Sequence, residues 1–183
     1  MYGLRGASLR DIAKDAGVSL TLLDHHFGAK TSLLRAVVDS HRNACELKIA
    51  PLRASLTALD GSLTAQRLVS EWVDYEYALS ATRQGRHDLS MVLRLEADLQ
   101  VDPDLRKDIN CSRRVIVNAL RRLQPALDEQ QAGHTWRLAS AALYAAVLNA
   151  EEFQLAGAES EALHRADTKS FLVDGMTCLE RNG

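Results

Sequence analysis

Proline, cysteine and phenylalanine are all scarce in this chain: each occurs three times in 183 residues, and glycine only ten times. So few helix breakers, together with abundant Ala, Leu and Arg, predict an all-α protein. The cysteines, Cys45, Cys111 and Cys178, are odd in number and far apart, so the sequence indicates neither a disulfide framework nor a zinc site. There is no Gly-rich phosphate loop, no His-x-x-x-His, no Cys-x-x-Cys and no Gly-x-Ser-x-Gly, and His87-Asp88 is a pair of neighbours rather than a relay. An enzyme is therefore not expected, and the sequence nominates no catalytic residue, metal ligand or cofactor. No basic-then-apolar leader opens the chain and no apolar run reaches about 18 residues, so a cytoplasmic protein with no membrane segment is expected.

What is present concentrates near the N-terminus. The net charge of -2 hides an asymmetry, because residues 1–50 hold more Lys and Arg than Asp and Glu while the rest of the chain is acidic. Such a lean suits a phosphate-facing surface but is weak alone. The stretch SLRDIAKDAGVSLTLLDHHFGAKTSLL, from Ser8 to Leu34, reads as two short helices joined by a tight turn, then the start of a third. Ser8 and Asp11 form a Ser-x-x-Asp capping pattern. Leu9, Ile12, Ala13 and Ala16 then recur at helical spacing. Gly17 stands where a helix ends in a left-handed residue. Ser19 is placed to cap a second helix through Leu22, Leu23 and His26 to Phe27, which Gly28 stops. This is the pattern of a helix-turn-helix, whose second helix enters the DNA major groove.

The run S-L-R-D-I-A-K-D-A-G-V-S followed by H-H-F-G-x-K-x-x-L-L resembles the DNA-binding domain of the TetR family of transcriptional regulators. The resemblance covers roughly the first 40 residues. The family places a further helix ahead of these two. Residues 1–6 are too short and Gly-rich to form it, with Tyr2-Gly3 matching its last turn: either the natural start lies upstream or the chain lacks that support. Two further positions depart from the family, Asp24 where it often has Tyr and Ala29 where it often has a capping Ser.

The candidate DNA-binding residues are Ser8, Arg10, Ser19, Leu20, Thr21, Leu22, Asp24, His25, His26 and Lys30. Thr21, His25 and His26 can donate to phosphate, the histidines more strongly when protonated. Asp24 is repelled by phosphate but can accept from a cytosine amino group, or simply be solvated. His26 can instead pack on Phe27. Lys30 opens the third helix, where the dipole and free N–H groups attract anions, and the resemblance gives it the same phosphate-binding role. That helix is expected to run through Leu33, Leu34, Val37, Val38, His41 and Cys45 towards Pro51.

The domain division expected is 1–46 for the DNA-binding domain and 47–183 for a helical effector-binding and dimerisation domain. Asp60-Gly61-Ser62 is read as a capped turn opening a helix from Leu68 to Leu79, which Gln84-Gly85-Arg86 breaks. A further helix is read from Leu89 to Leu99 and another from Asp102-Pro103-Asp104 to Pro125, with Arg113, Arg114, Arg121 and Arg122 on a solvated face. The segment 138–148 is apolar all round except for Ser140 and needs cover on both sides. With the last helix, carrying Phe171, Leu172, Met176 and Leu179, it is expected to form a four-helix homodimer interface. The resemblance implies a small-molecule effector; Trp72, Tyr75, Met91, Arg94, Tyr144 and Asn149 are the candidate lining, with Tyr77 and Glu96 also available, each of which can equally be ordinary core. The expected function is a ligand-responsive DNA-binding repressor acting on a near-palindromic operator. The competing expectation is a small-molecule-binding helical dimer with impaired DNA binding.

Overall fold

The computed structural model describes residues 7–97, 110–155 and 157–180. Among them are eight α-helices and no strand: α1 (Leu9–Ala16), α2 (Leu20–Phe27), α3 (Lys30–Ala58), α4 (Ala65–Ser80), α5 (Arg83–Ala97), α6 (Cys111–Leu123), α7 (Glu129–Leu155) and α8 (Ala158–Glu180). The chain divides into two compact units, Met1–Lys48 with Ser90–Cys111, and Ile49–Leu89 with Ser112–Gly183. The readings made for residues 1–6, for Leu99 and for Asp102-Pro103-Asp104 lie outside the described residues.

In the first unit, α1 and α2 pack on one another, and Ala13 and Leu23 are their buried side chains. Beyond them Val38 of α3 and Val92 and Leu95 of α5 form a small buried cluster, with Leu34 and Met91 packed against it. The second unit is built on α4, α7 and α8, which pack mutually. Its core holds Leu68, Val69, Trp72 and Val73 of α4, Ile116 of α6, Leu143, Tyr144 and Val147 of α7, and Leu172 and Met176 of α8. Two of the buried aromatics have their polar atoms paired, whereas the indole N–H of the buried Trp136 has no hydrogen-bond partner among the described residues. Trp72 Nε1 donates to Glu76 Oε1 at 3.1 Å, and the hydroxyls of Ser112 and Tyr144 lie 3.2 Å apart.

Several helix boundaries differ from the sequence reading. Pro51 does not end α3, which continues to Ala58. Proline removes one donor, the bond that residue 51 would have made to the Leu47 carbonyl. Leu47 is 81% exposed, so this turn faces water, while Ile49, Leu52 and Leu56 are buried and hold the second half in place. Asp60–Ser62 forms a single 3₁₀ turn, and the cap of α4 is Thr64, whose hydroxyl accepts from the Arg67 N–H at 3.2 Å.

Gly85 does not break a helix either. The chain turns at Ala81 and Thr82, and Gly85 sits inside α5 because a Cβ there would lie 1.9 Å from the Leu79 carbonyl oxygen. Nor are the basic pairs of α6 wholly solvated: the Arg113 guanidinium lies 6.0 Å from the Trp136 ring centroid and Arg122 Nη1 donates to the Leu56 carbonyl at 3.2 Å. Cys45 is disulfide-bonded, with the His41 ring 3.3 Å from its sulfur, a cross-link that the odd number and wide spacing of the cysteines did not indicate. Cysteines so far apart in sequence carry no local sign of pairing, because tertiary folding alone decides which of them meet.

Candidate nucleic-acid interface

The first helix of the site is fixed by its ends. Ser8 adopts an extended conformation, its hydroxyl oxygen accepts from the Asp11 N–H at 3.2 Å, and its own N–H donates to the Asp11 carboxylate at 3.0 Å. The Ser8 hydroxyl also donates to that carboxylate at 2.6 Å, which holds Asp11 below its ordinary carboxylate range, with the Ser8 backbone N–H acting in the same direction. At the other end Gly17 takes φ 68° and ψ 25°, the left-handed region that only glycine enters without steric cost. The Val18 N–H then returns to the Ala13 carbonyl at 3.0 Å, closing the helix end and aiming the chain at the next cap.

Ser19 is that cap, its hydroxyl accepting from the Leu22 N–H at 3.1 Å. Leu23 is 6% exposed and is the one buried residue of α2. At about 100° per residue, Thr21 and His25 lie about 160° from Leu23, either side of the pole that faces away from the core. Leu22 and Asp24 stand about 100° from Leu23 on opposite edges of that face. Thr21, Leu22, Asp24, His25 and His26 are all exposed, Leu22 at 47% and Leu20 at 37%. The His26 ring lies 5.5 Å from His25 and 6.3 Å from Phe27, so it is at once exposed and in contact with the aromatic that closes the helix. Gly28, at φ 64°, ends α2 with its N–H on the Asp24 carbonyl at 2.7 Å, and Lys30 follows as the first residue of α3, half-buried.

A capped helix, a left-handed glycine turn and a second capped helix with one buried leucine and an open polar face form a helix-turn-helix. Residues 2–37 match the family model for bacterial regulatory proteins of the tetR family. The N-terminal segment is a TetR-family DNA-binding domain. A chain carrying it is a DNA-binding transcriptional regulator. No curated protein matches the chain.

Within the TetR-type segment, Ser8 and Arg10 are exposed at the start of α1, and Ser19 is engaged in capping α2. Spacing alone does not rank the exposed residues of α2; the burial of Leu23 does, by making Thr21 and His25 central and Leu20 and His26 marginal. The expected effector residues do not stand together in one unit. Met91 packs against Val38, Val92 and Leu95 in the first unit, where Arg94 is exposed. In the second unit Trp72 and Tyr144 are buried and hydrogen-bonded, Tyr75 is half-buried and Asn149 is exposed. Burial pushes the Tyr75 phenol well above its ordinary value, with the neighbouring Glu76 charge adding to the effect. Sequence reasoning passed over Glu76 and Ser112, the buried partners of Trp72 and Tyr144, since a single polar residue in a helix carries no sign of which way it points. Among the described residues no cluster of His, Cys, Asp or Glu has the arrangement to hold a metal ion, and no helix is long and apolar enough to cross a membrane.

Proposed function

We propose that the chain is a ligand-responsive repressor that binds a near-palindromic operator as a homodimer. The observation that carries the DNA-binding part is α2 itself, held by Leu23 with its polar face open to solvent. Dimerisation is supported by large apolar side chains exposed on α7 and α8: Leu138 is 72% exposed, Leu163 64% and Phe171 67%. On α7 the residues facing inward are Leu143, Tyr144 and Val147, while Leu138, Ala141 and Ala145 face outward at helical spacing. Exposed apolar side chains of this size and regularity suit a second copy. One short reading helix covers few base pairs, and a two-fold dimer doubles that number at half-sites about one DNA turn apart.

The ligand response rests on α3, which runs from Lys30 to Ala58 and contributes residues to both units. An effector that favours one arrangement of the second unit acts on DNA affinity only through its differential binding, typically about 1–3 kcal/mol of coupling.

The deciding experiment is selection from a random duplex pool at moderate salt, with sedimentation of the protein alone and with the selected duplex. A single two-fold-symmetric site bound by two chains is the expected result. A dimer that enriches no sequence would favour the second reading, a helical small-molecule binder that has lost DNA binding.

A further inference from the structure

The outward face of α2 has an unusual chemical make-up. A helix that lies against a polyanion is expected to present cations or hydrogen-bond donors to it. Here the face carries Thr21 and His25 at its centre, an exposed leucine, Leu22, on one edge and a carboxylate, Asp24, on the other. No hydrogen bond or ion pair engages the Asp24 side chain among the described residues. It is not a cap, since the cap of α2 is Ser19 and the residue that stops the helix uses only the Asp24 backbone carbonyl. It also stands in the last turn of α2, the negative end of the helix dipole, where a carboxylate is disfavoured. Neither α2 nor the duplex phosphates gain from a negative charge at this position.

An ionised carboxylate accepts hydrogen bonds and donates none. In the major groove that excludes guanine, which offers only acceptors, and thymine, which offers an acceptor and a methyl group. Adenine places an acceptor beside its amino group, so a carboxylate meets repulsion along with its bond. Cytosine offers an amino donor alone. Resting on the DNA-binding reading above, we propose that Asp24 is a specificity-determining residue of the reading helix, selecting cytosine at one position of each half-site. Leu22, on the opposite edge, has the apolar end that suits a thymine methyl at a different position. The carboxylate lowers affinity for DNA at large and raises the contrast between the right and the wrong base, which is specificity obtained through repulsion.

The experiment compares the full wild-type chain with Asp24→Asn, Asp24→Ala and Leu22→Ala in the same random-duplex selection. Helix content of each variant is checked by circular dichroism, which these exposed positions should leave unchanged. The wild-type site should carry one cytosine per half-site favoured by about 5- to 150-fold over other bases. Asp24→Asn should move that column to adenine, because an amide pairs with the adenine N6 and N7 together. Asp24→Ala should flatten the column to within about twofold and strengthen binding to unrelated DNA, while Leu22→Ala alters a different column and leaves the cytosine in place. Selection of the same site, unchanged, by wild type and both Asp24 variants would overturn the proposal and leave the DNA-binding reading intact. Loss of all selection by folded Asp24 variants would also overturn it, since the residue would then support binding rather than base choice. If the wild type enriches no sequence, both readings fall together.

Discussion

Leu22 and Leu23 are adjacent, identical in type and opposite in environment, and replacing each by Ala tests the orientation of α2 directly. Leu23 is 6% exposed and is the sole buried side chain that α2 contributes. Truncating a buried leucine removes its transfer energy and leaves a cavity, and the cost grows with how poorly the site collapses. The α1–α2 layer is thin, which allows some collapse, so the cost expected is at the lower end, about 2–3 kcal/mol. Leu22 is 47% exposed, and Ala is a slightly better helix former, so Leu22→Ala should change stability by less than about 0.5 kcal/mol.

Amide hydrogen exchange resolves the two outcomes, because it reports the opening of α1 and α2 separately from the rest of the molecule. Protection in α1 and α2 should fall roughly 30- to 150-fold for Leu23→Ala and hardly at all for Leu22→Ala. Binding should show the reverse pattern at low temperature, where Leu23→Ala keeps the base preferences of the wild type and Leu22→Ala loses one of them. Equal loss of protection in the two variants would mean that both leucines are buried, and the derivation of the outward face from Leu23 would be wrong.

Three further outcomes follow from the same geometry. Lys30→Ala should weaken binding to all duplexes alike and flatten the slope of log K against log salt by roughly one unit, the mark of one lost phosphate contact; an unchanged slope would remove Lys30 from the interface. Gly17→Ala should destabilise the α1–α2 turn by about 1–2 kcal/mol through left-handed strain alone, since no atom stands within 4 Å of the added Cβ, whereas Gly85→Ala should cost more because its Cβ meets the Leu79 backbone; thermal melts that rank them the other way would refute this. The raised Tyr75 phenol keeps its proton in the folded chain at pH values where the unfolded chain has lost it, so its contribution to stability is intact below about pH 10 and lost as the pH rises further. Urea midpoints at pH 9 and 11 should therefore converge in Tyr75→Phe, less completely than expected from Tyr75 alone because Tyr77 is shifted in the same direction.

The parts of the fold that were legible in the sequence are those whose causes lie within a few residues of one another. Ser8, Asp11, Gly17, Ser19 and Gly28 each act on backbone groups no more than four positions away, and all five occupy the expected places. Pro51 and Gly85 are not legible in this way, for the opposite reason. Whether a proline ends a helix depends on what anchors the residues beyond it, here Ile49, Leu52 and Leu56. Whether a glycine breaks a helix or sits inside one depends on what approaches it, here the Leu79 carbonyl.

The same distinction separates the two functional surfaces. A reading helix needs only one side held inward, and once Leu23 is known to be buried, helical periodicity places every other side chain of α2. An apolar helix such as α7 offers no such asymmetry. Its composition says that both faces need cover, but not that Leu143, Tyr144 and Val147 take the inner one and leave Leu138, Ala141 and Ala145 outside. A cavity is harder still, because a lining residue and a core residue have the same composition and spacing. Trp72 and Tyr144, two of the expected lining residues, have their polar atoms engaged by Glu76 and Ser112, polar residues that the sequence left unmarked. An effector that engaged either aromatic through its polar atom would have to displace or share that bond, at a cost of about 1–3 kcal/mol for each buried partner left unmatched. Selectivity for a ligand in this unit would therefore favour molecules that bring their own acceptor to the Trp72 N–H or their own hydroxyl partner to Tyr144.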